Sequence, residues 1–282
     1  MRSAIRNLAR RLGFEVINLR GIPRDLVPDW TVLAEGPARD AAVPGDWISG
    51  ALDVSTRAHR PDPPRYRRLQ LGEDTRLKHV AYFLDVRDLR TLELGPLEGF
   101  WSILLEKMGV RENVAIESRP ENLARCERIK ALHHLDRTRF VPGDIEQLAD
   151  GRATADLGGP FDLVFCLGLL YHLPEPARAL RWCRAQAPRL FLGTHYVEPG
   201  EPRRYLAANF VDGQYQADGQ TYRGKTYREG GIGDPLSGMS PTSFWPFEAD
   251  LIAMIRAAGY TRVHVLGKDL ANRMPHITIL AE

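Results

Sequence analysis

Residues 91–102, TLELGPLEGFWS, carry the densest chemical signal in the chain: a short apolar run enters a turn flanked by Gly95 and Gly99 and leaves as a helix pattern. Glycine lacks Cβ, so the backbone at these two positions can turn sharply and approach a ligand, while the free N–H groups of the following helix face an anionic or carboxylate group. Pro96 and Leu97 lie between the glycines. About twenty residues on, the spacing found in dinucleotide folds, VAIES (114–118) reads as a second buried strand ending in Glu117 and Ser118. A carboxylate there accepts both hydroxyls of a ribose. Two histidines follow other apolar runs, His172 in FDLVFCLGLLYHL and His195 in THY. With an unperturbed pKa of about 6.5, either imidazole suits the role of general base at neutral pH.

The elements that position these residues alternate. The patterning predicts strands at 92–94, 114–117, 139–141, 161–167 and 190–193, and helices at 100–108 (ending at Gly109), 120–132 and 175–187. Such an order builds an α/β, Rossmann-like, doubly wound and mostly parallel sheet, with ligands beyond the carboxyl ends of its strands. Leu251, Ile252, Ile255 and Ala258 then form one helical face, and two strand-like runs, 261–266 and 276–280, are joined by KDLANRMP, a link that permits an antiparallel edge hairpin. Ahead of the core, residues 1–73 read as an irregular extension wrapped over it through Trp30, Trp47, Ile48 and Tyr66, and Leu77, Val80, Ala81 and Leu84 mark a leading helix. The main domain is expected over 74–282. Within it, residues 197–246 break the alternation with a stretch dense in Gly, Tyr and polar residues, expected to be a substrate lid without regular structure.

At 282 residues, 44% hydrophobic and 26% charged, the chain is large enough to bury a substantial core. Its 38 basic and 36 acidic residues leave a formal charge of +2, which gives no broad electrostatic footprint for nucleic acid or a membrane and favours a small-molecule partner. No apolar run is long enough to span a bilayer or to follow MRSAIRNLARRLGF as a signal peptide. Cys126, Cys166 and Cys183 lack metal-ligand spacing and read as reduced thiols of a cytoplasmic protein.

With these residues in view, the chain resembles the class I S-adenosylmethionine-dependent methyltransferases over residues 91–194. ELGPLEG is similar to the family's first motif, AIES to the acidic end of strand two, FVPGDIEQL to the adenine-contacting segment and FDLVFCLGLLYHL to the fourth motif. The resemblance implies a seven-stranded sheet whose last pair is a hairpin, and S-adenosyl-L-methionine as cofactor. Glu93, Gly95 and Gly99, with the backbone of Pro96 and Leu97, would hold the methionine portion. Glu117, followed by Ser118, would take the ribose, Asp144 with Ile145 would read adenine, and Cys166, Leu167 and Gly168 would close over the tail. One position departs from the pattern, since Leu97 replaces the middle glycine of G-x-G-x-G. The G-x-L-E-G form resembles a branch that holds largely small-molecule and sugar methyltransferases and is also similar to the transfer-RNA wobble-uridine carboxymethyltransferases. Tyr171, after strand four, reads as a wall of the cofactor pocket, and the branch's similar Tyr-Gly and Ser-Phe-Trp segments imply Tyr222, Tyr227 and Trp245 as substrate contacts.

Blander roles compete at each place. The glycines alone make a tight turn, Glu117 and Asp144 could cap the helices that follow them, and His172 could simply brace its loop. Methyl transfer is an in-line displacement served by positioning, water exclusion and proton removal, so His195 and His172 are the candidate bases. No metal is expected, because CLGL lacks the carboxylates that oxygen-preferring cations need. The expected reaction is methylation of a small-molecule hydroxyl. The alternatives are an RNA-modifying enzyme, for which the arginines at 57–68 speak, and a cofactor-binding module without chemistry. An NAD site is disfavoured, since GPLEGF fails G-x-G-x-x-G.

Overall fold

The computed structural model describes residues 76, 79, 80, 83–199, 209–234, 236–269 and 274–282. The expected N-terminal extension, the arginine cluster at 57–68, and Leu77 and Ala81 of the leading helix lie outside them; residues 76, 79, 80 and 83 are helical.

In chain order the elements are β1 (Arg90–Leu94), α1 (Phe100–Lys107), β2 (Glu112–Glu117), α2 (Pro120–His133), β3 (Thr138–Pro142), α3 (Ile145–Ala149), β4 (Leu163–Leu167), a 3₁₀ turn (Leu170–His172), α4 (Pro176–Gln186) and β5 (Leu190–His195). They continue as β6 (Phe210–Ala217), β7 (Gln220–Arg228), β8 (Thr242–Pro246), α5 (Glu248–Ala257), β9 (Val263–Asp269) and β10 (His276–Ala281). Seven strands form one sheet in the order β3-β2-β1-β4-β5-β10-β9. The first five run parallel, and β10 lies antiparallel to both β5 and β9. The C-terminal hairpin is as the connecting link predicts.

Strand alternation sorts the core into two layers. Leu92, Leu94, Val114, Ile116, Val164, Leu192 and Ile279 face one side, where Leu180 and Cys183 of α4 and Leu251, Met254 and Ile255 of α5 cover them. Leu163, Phe165, Phe191 and Leu280 face the other, beneath Phe100, Ile103, Leu104 and Leu105 of α1, Ile129 of α2, and Val80 and Leu84. With both faces covered, the central strands read as near-continuous apolar runs, which is why they are legible in sequence. Helix α1 starts at Gly99 in the left-handed conformation (φ 82°) and α2 has a proline in its first turn, so each helix begins just beyond a strand's carboxyl end.

The insertion differs from the expectation of an irregular lid. Its described part forms a three-stranded antiparallel sheet, β6-β7-β8. Asp218 and Gly219 both have positive φ (53° and 74°) between the paired Ala217 and Gln220, the geometry of a two-residue hairpin turn. In β6 the outer residues Asp212, Gln214 and Gln216 are exposed, while Tyr215 and Ala217 pack on the main core. Residues 229–241 then form a strap from β7 to β8. Its ends are pinned by Glu229 N–H donating to the Pro241 carbonyl at 3.0 Å.

Candidate active site

Beyond the carboxyl ends of β1, β2, β3 and β4 lies a cavity of about 300 Å³. Gly95, Pro96 and Leu97 line it from the β1 loop, Glu117, Ser118 and Arg119 from the end of β2, and Asp144, Ile145 and Glu146 from the start of α3. Leu167, Gly168, Tyr171 and His172 form the wall after β4, and Leu236 to Met239 of the strap close over it, apart from a contribution by Arg76 and Trp101. Nine of the sequence-predicted cofactor residues thereby meet around one space, together with His172 and Tyr171.

Glu117 ties the first two loops together. Its Oε2 accepts from Leu97 N–H at 3.1 Å and its Oε1 from Arg119 N–H at 2.9 Å. Burial pushes this carboxyl above its ordinary range, opposed by those two N–H groups and by the Asn122 side chain. Glu117 lines the cavity, so its carboxylate is the acceptor that a diol bound there would meet. Leu97 itself has φ 58°. The leucine therefore adopts the left-handed backbone that glycine ordinarily supplies, at a cost of about 1–2 kcal/mol. The departure from G-x-G-x-G changes the side chain and keeps the turn.

Asp144 accepts from Glu146 N–H at 2.9 Å and caps α3 while lining the cavity, so it fills both of its competing roles at once. Arg119, also at the cavity, donates to the carbonyls of Ile232 (2.6 Å) and Ser237 (2.8 Å) and so latches the strap. Ser240 Oγ adds a second latch by donating to Glu146 Oε2 at 2.6 Å.

Several expected contacts fall elsewhere. Glu93 alternates away from the cavity to the α1 side of β1, where its Oε2 accepts from Ser102 Oγ (2.6 Å) and Asn113 Nδ2 (2.9 Å). Burial raises its carboxyl to about 7, against those two hydrogen bonds. Gly99 starts α1 against Phe140 and Ile129 rather than lining the space. Cys166 is packed in the core, and burial raises its thiol to about 12, which removes it as a nucleophile. Tyr222, only 2% exposed, faces the same core, since alternation along β7 turns it inward. Tyr227 and Trp245 pack with Phe210 and Val197 beside the cavity wall rather than at it.

The two histidines separate. His195 stacks on Trp245 (ring centroids 5.3 Å apart, interplanar angle 6°), abuts the Tyr171 ring at 4.6 Å, and donates from Nδ1 to the Pro275 carbonyl at 3.1 Å. It does not line the cavity; burial lowers its pKa, with His172 and Arg76 lowering it further against its backbone hydrogen bonds. His172 does line it, and its Nδ1 sits 3.1 Å and 3.3 Å from the two oxygens of Glu229. Glu229, the residue after β7, was not anticipated. Its histidine partner is 57 residues away in sequence and nothing in YREGG marks it. Burial pushes the Tyr171 phenol up to about 12, so its hydroxyl stays neutral. Among the described residues no cluster of His, Cys, Asp and Glu could hold a metal ion, and no helix is long and apolar enough to cross a membrane.

Comparison with known proteins agrees with this arrangement. The N-terminal domain of EvdMO1, solved with SAH bound, is 27% identical, with a TM-score of 0.60 over 75% of this chain and 82% of that one. A second structure of that domain, in the presence of SAH and D-fucose, gives 26% and 0.61, over 78% of this chain and 88% of that one. The ubiquinone biosynthesis O-methyltransferase of Xanthomonas oryzae pv. oryzae (strain PXO99A) is 32% identical over 122 residues, 42% of this chain and 48% of that protein. The tRNA U34 carboxymethyltransferase of Campylobacter hominis is 24% identical over 119 residues, 41% of this chain and 39% of it. The chain thus spans about half or less of the length of these two relatives. The family model for the methyltransferase domain matches residues 64–221, more than half of the chain. Together with the sheet order and the cavity at its carboxyl edge, that match places the chain in the methyltransferase-domain family, among the class I S-adenosylmethionine-dependent methyltransferases.

Proposed function

We propose that the chain transfers a methyl group from S-adenosyl-L-methionine to a hydroxyl oxygen of a small molecule, with His172 as general base. The observation that carries this is a single cavity with Glu117, Asp144 and Ile145 along one stretch and Gly168, Tyr171 and His172 along another. The residues fit the cofactor: a diol-accepting carboxylate, a left-handed turn at Gly95 and Leu97, and an apolar wall stand in the order an adenosyl group and its tail require. When bound, the cofactor supplies a methyl group activated by a positive sulfur. Glu117 would hold the ribose, Ile145 and Asp144 would border adenine, and the backbone at Gly95–Leu97 and Gly168 would border the tail.

His172 is preferred to His195 because it lines the cavity and has a carboxylate on Nδ1, which leaves the Nε2 lone pair for a proton. His172 Nε2 would take the proton of the acceptor's O–H bond as that oxygen accepts the methyl group the cofactor supplies. Tyr171, Leu169 and the strap would keep water out. An oxygen acceptor accords with the ubiquinone O-methyltransferase, and the D-fucose structure favours polyhydroxylated candidates. Calorimetric titration with S-adenosylmethionine, S-adenosylhomocysteine and NAD, then transfer of labelled methyl to a panel of phenols and sugars, tests the reading. Preference for NAD, or no affinity for either adenosyl compound, sinks it.

A second reading, modification of a transfer-RNA base, is favoured by the tRNA U34 carboxymethyltransferase relative. Binding to transfer RNA that falls steeply with salt supports that alternative, and absence of binding at low salt removes it.

A further inference from the structure

Four groups from three parts of the chain converge on Glu229. Its carboxylate accepts from Ser243 Oγ of β8 (2.6 Å), from Ser237 Oγ (2.8 Å) and Gly238 N–H (2.8 Å) of the strap, and faces His172 Nδ1 of the 3₁₀ turn at 3.1 Å. The Glu229 side chain is 1% exposed. Burial alone would raise this carboxyl, but the hydrogen bond and charge of His172, with the bonds from Ser243 and Gly238, hold it below the ordinary range. It is therefore ionised at neutral pH and accepts only, which makes His172 Nδ1 the donor.

The geometry points to Glu229 as the positioning residue of the site: it fixes the His172 ring with its lone pair on Nε2 and ties that orientation to the strap over the cavity. This rests on the reading of His172 as the base. In the transfer the acceptor's proton passes to Nε2, the oxygen–carbon bond forms, and the electron pair of the carbon–sulfur bond stays on sulfur. Glu229 takes no proton and offsets the charge of the imidazolium. The strap bears directly on the same ring's backbone, since a Cβ on Gly238 would lie 2.5 Å from the His172 carbonyl oxygen.

A purely structural Glu229 would serve only to anchor the strap, and two substitutions separate the roles. In Glu229→Gln the side-chain oxygen must stay beside Gly238 N–H, which cannot accept, while Ser243 Oγ rotates to accept from the new amide. The strap thus stays anchored and the charge is lost. Ser243→Ala removes the bond that holds Glu229 to β8 and leaves the contact between Glu229 and His172 in place.

Proton NMR of the protein alone, with the His172 ring N–H assigned by its loss in His172→Gln, gives the readout. A downfield resonance is expected in the wild type and in Ser243→Ala, moved upfield by about 1 ppm or more in Glu229→Gln because a neutral acceptor forms a weaker bond than a carboxylate. An unchanged resonance in Glu229→Gln, or the same change in Ser243→Ala, overturns the assignment. With an acceptor from the panel above, Glu229→Gln should lower kcat by about tenfold to a hundredfold while the KM for S-adenosylmethionine stays within about threefold. A fall confined to KM overturns it as well. Failure of the wild type to bind either adenosyl compound sinks the methyl-transfer reading and leaves the NMR arm to decide the positioning role.

Discussion

Replacing Glu117 with glutamine probes the cofactor reading at the residue on which it turns. The carboxylate accepts one backbone N–H on each oxygen, from Leu97 at 3.1 Å and Arg119 at 2.9 Å, so an amide nitrogen in either place confronts a donor with a donor. A hydrogen bond to a charged group contributes about 1.5–3 kcal/mol, and the ribose would lose one such acceptor outright. That corresponds to a dissociation constant about ten- to a hundredfold weaker for S-adenosylhomocysteine. The folded state should suffer less, because burial already disfavours the ionised Glu117 and an uncharged amide relieves that cost. A net stability change of about 1 kcal/mol or less is expected. Calorimetry at neutral pH, paired with a thermal melt on the same sample, measures both quantities. An affinity within about threefold of wild type, with the fold intact, refutes the assignment of Glu117 to the ribose.

Three further outcomes follow from local geometry. Leu97→Gly should relieve left-handed strain and raise stability by up to about 1 kcal/mol in chemical denaturation, with S-adenosylhomocysteine affinity changed only a few-fold. A large destabilisation would show that the leucine side chain, not the turn, is what the position needs. Glu93 has a folded pKa raised by burial from 4.5 to about 7, so the folded protein holds a proton that the unfolded chain has released between those values. Its contribution is full below the lower value and lost as pH rises through the upper, a fall of about 3 kcal/mol across the window. Glu93→Gln should flatten that slope when unfolding free energy is compared between about pH 5 and about pH 8, and an unaltered slope contradicts the burial argument. Gly238→Ala places a methyl against the His172 carbonyl oxygen and should displace the strap. Faster proteolysis within residues 229–241 and at least about tenfold lower turnover are the expected signs, and unchanged cleavage and rate count against the strap's fit.

The parallel core and its loops were legible because each central strand is buried on both sides and each loop beyond its carboxyl end carries a chemically distinctive residue, such as Gly95, Glu117 or Asp144. The β6–β7 hairpin was not read, although Asp218-Gly219 is a strong turn signal. Its β6 strand exposes Asp212, Gln214 and Gln216, so apolar periodicity is diluted where one face meets water. Strand alternation also decided what motif position left open. Glu93 belongs to the first motif yet points toward α1, and Tyr222 belongs to the insertion yet points into the core. The choice between the histidines depended on Glu229, a contact spanning 57 residues that no local pattern announces.

The strap has both feet on neighbouring strands, with Arg228 paired to Thr242 and Glu229 bonded to Pro241. Its ends are therefore held at a fixed separation whatever lies between them, and the closure entropy of such a segment grows only slowly with length. Within that frame Arg119, Glu229 and Glu146 hold residues 232, 237, 238 and 240, and only the positions between these latches are exchangeable. Swapping them for a longer or differently charged segment would retailor the roof of the chamber while the seven-stranded platform below keeps its own register.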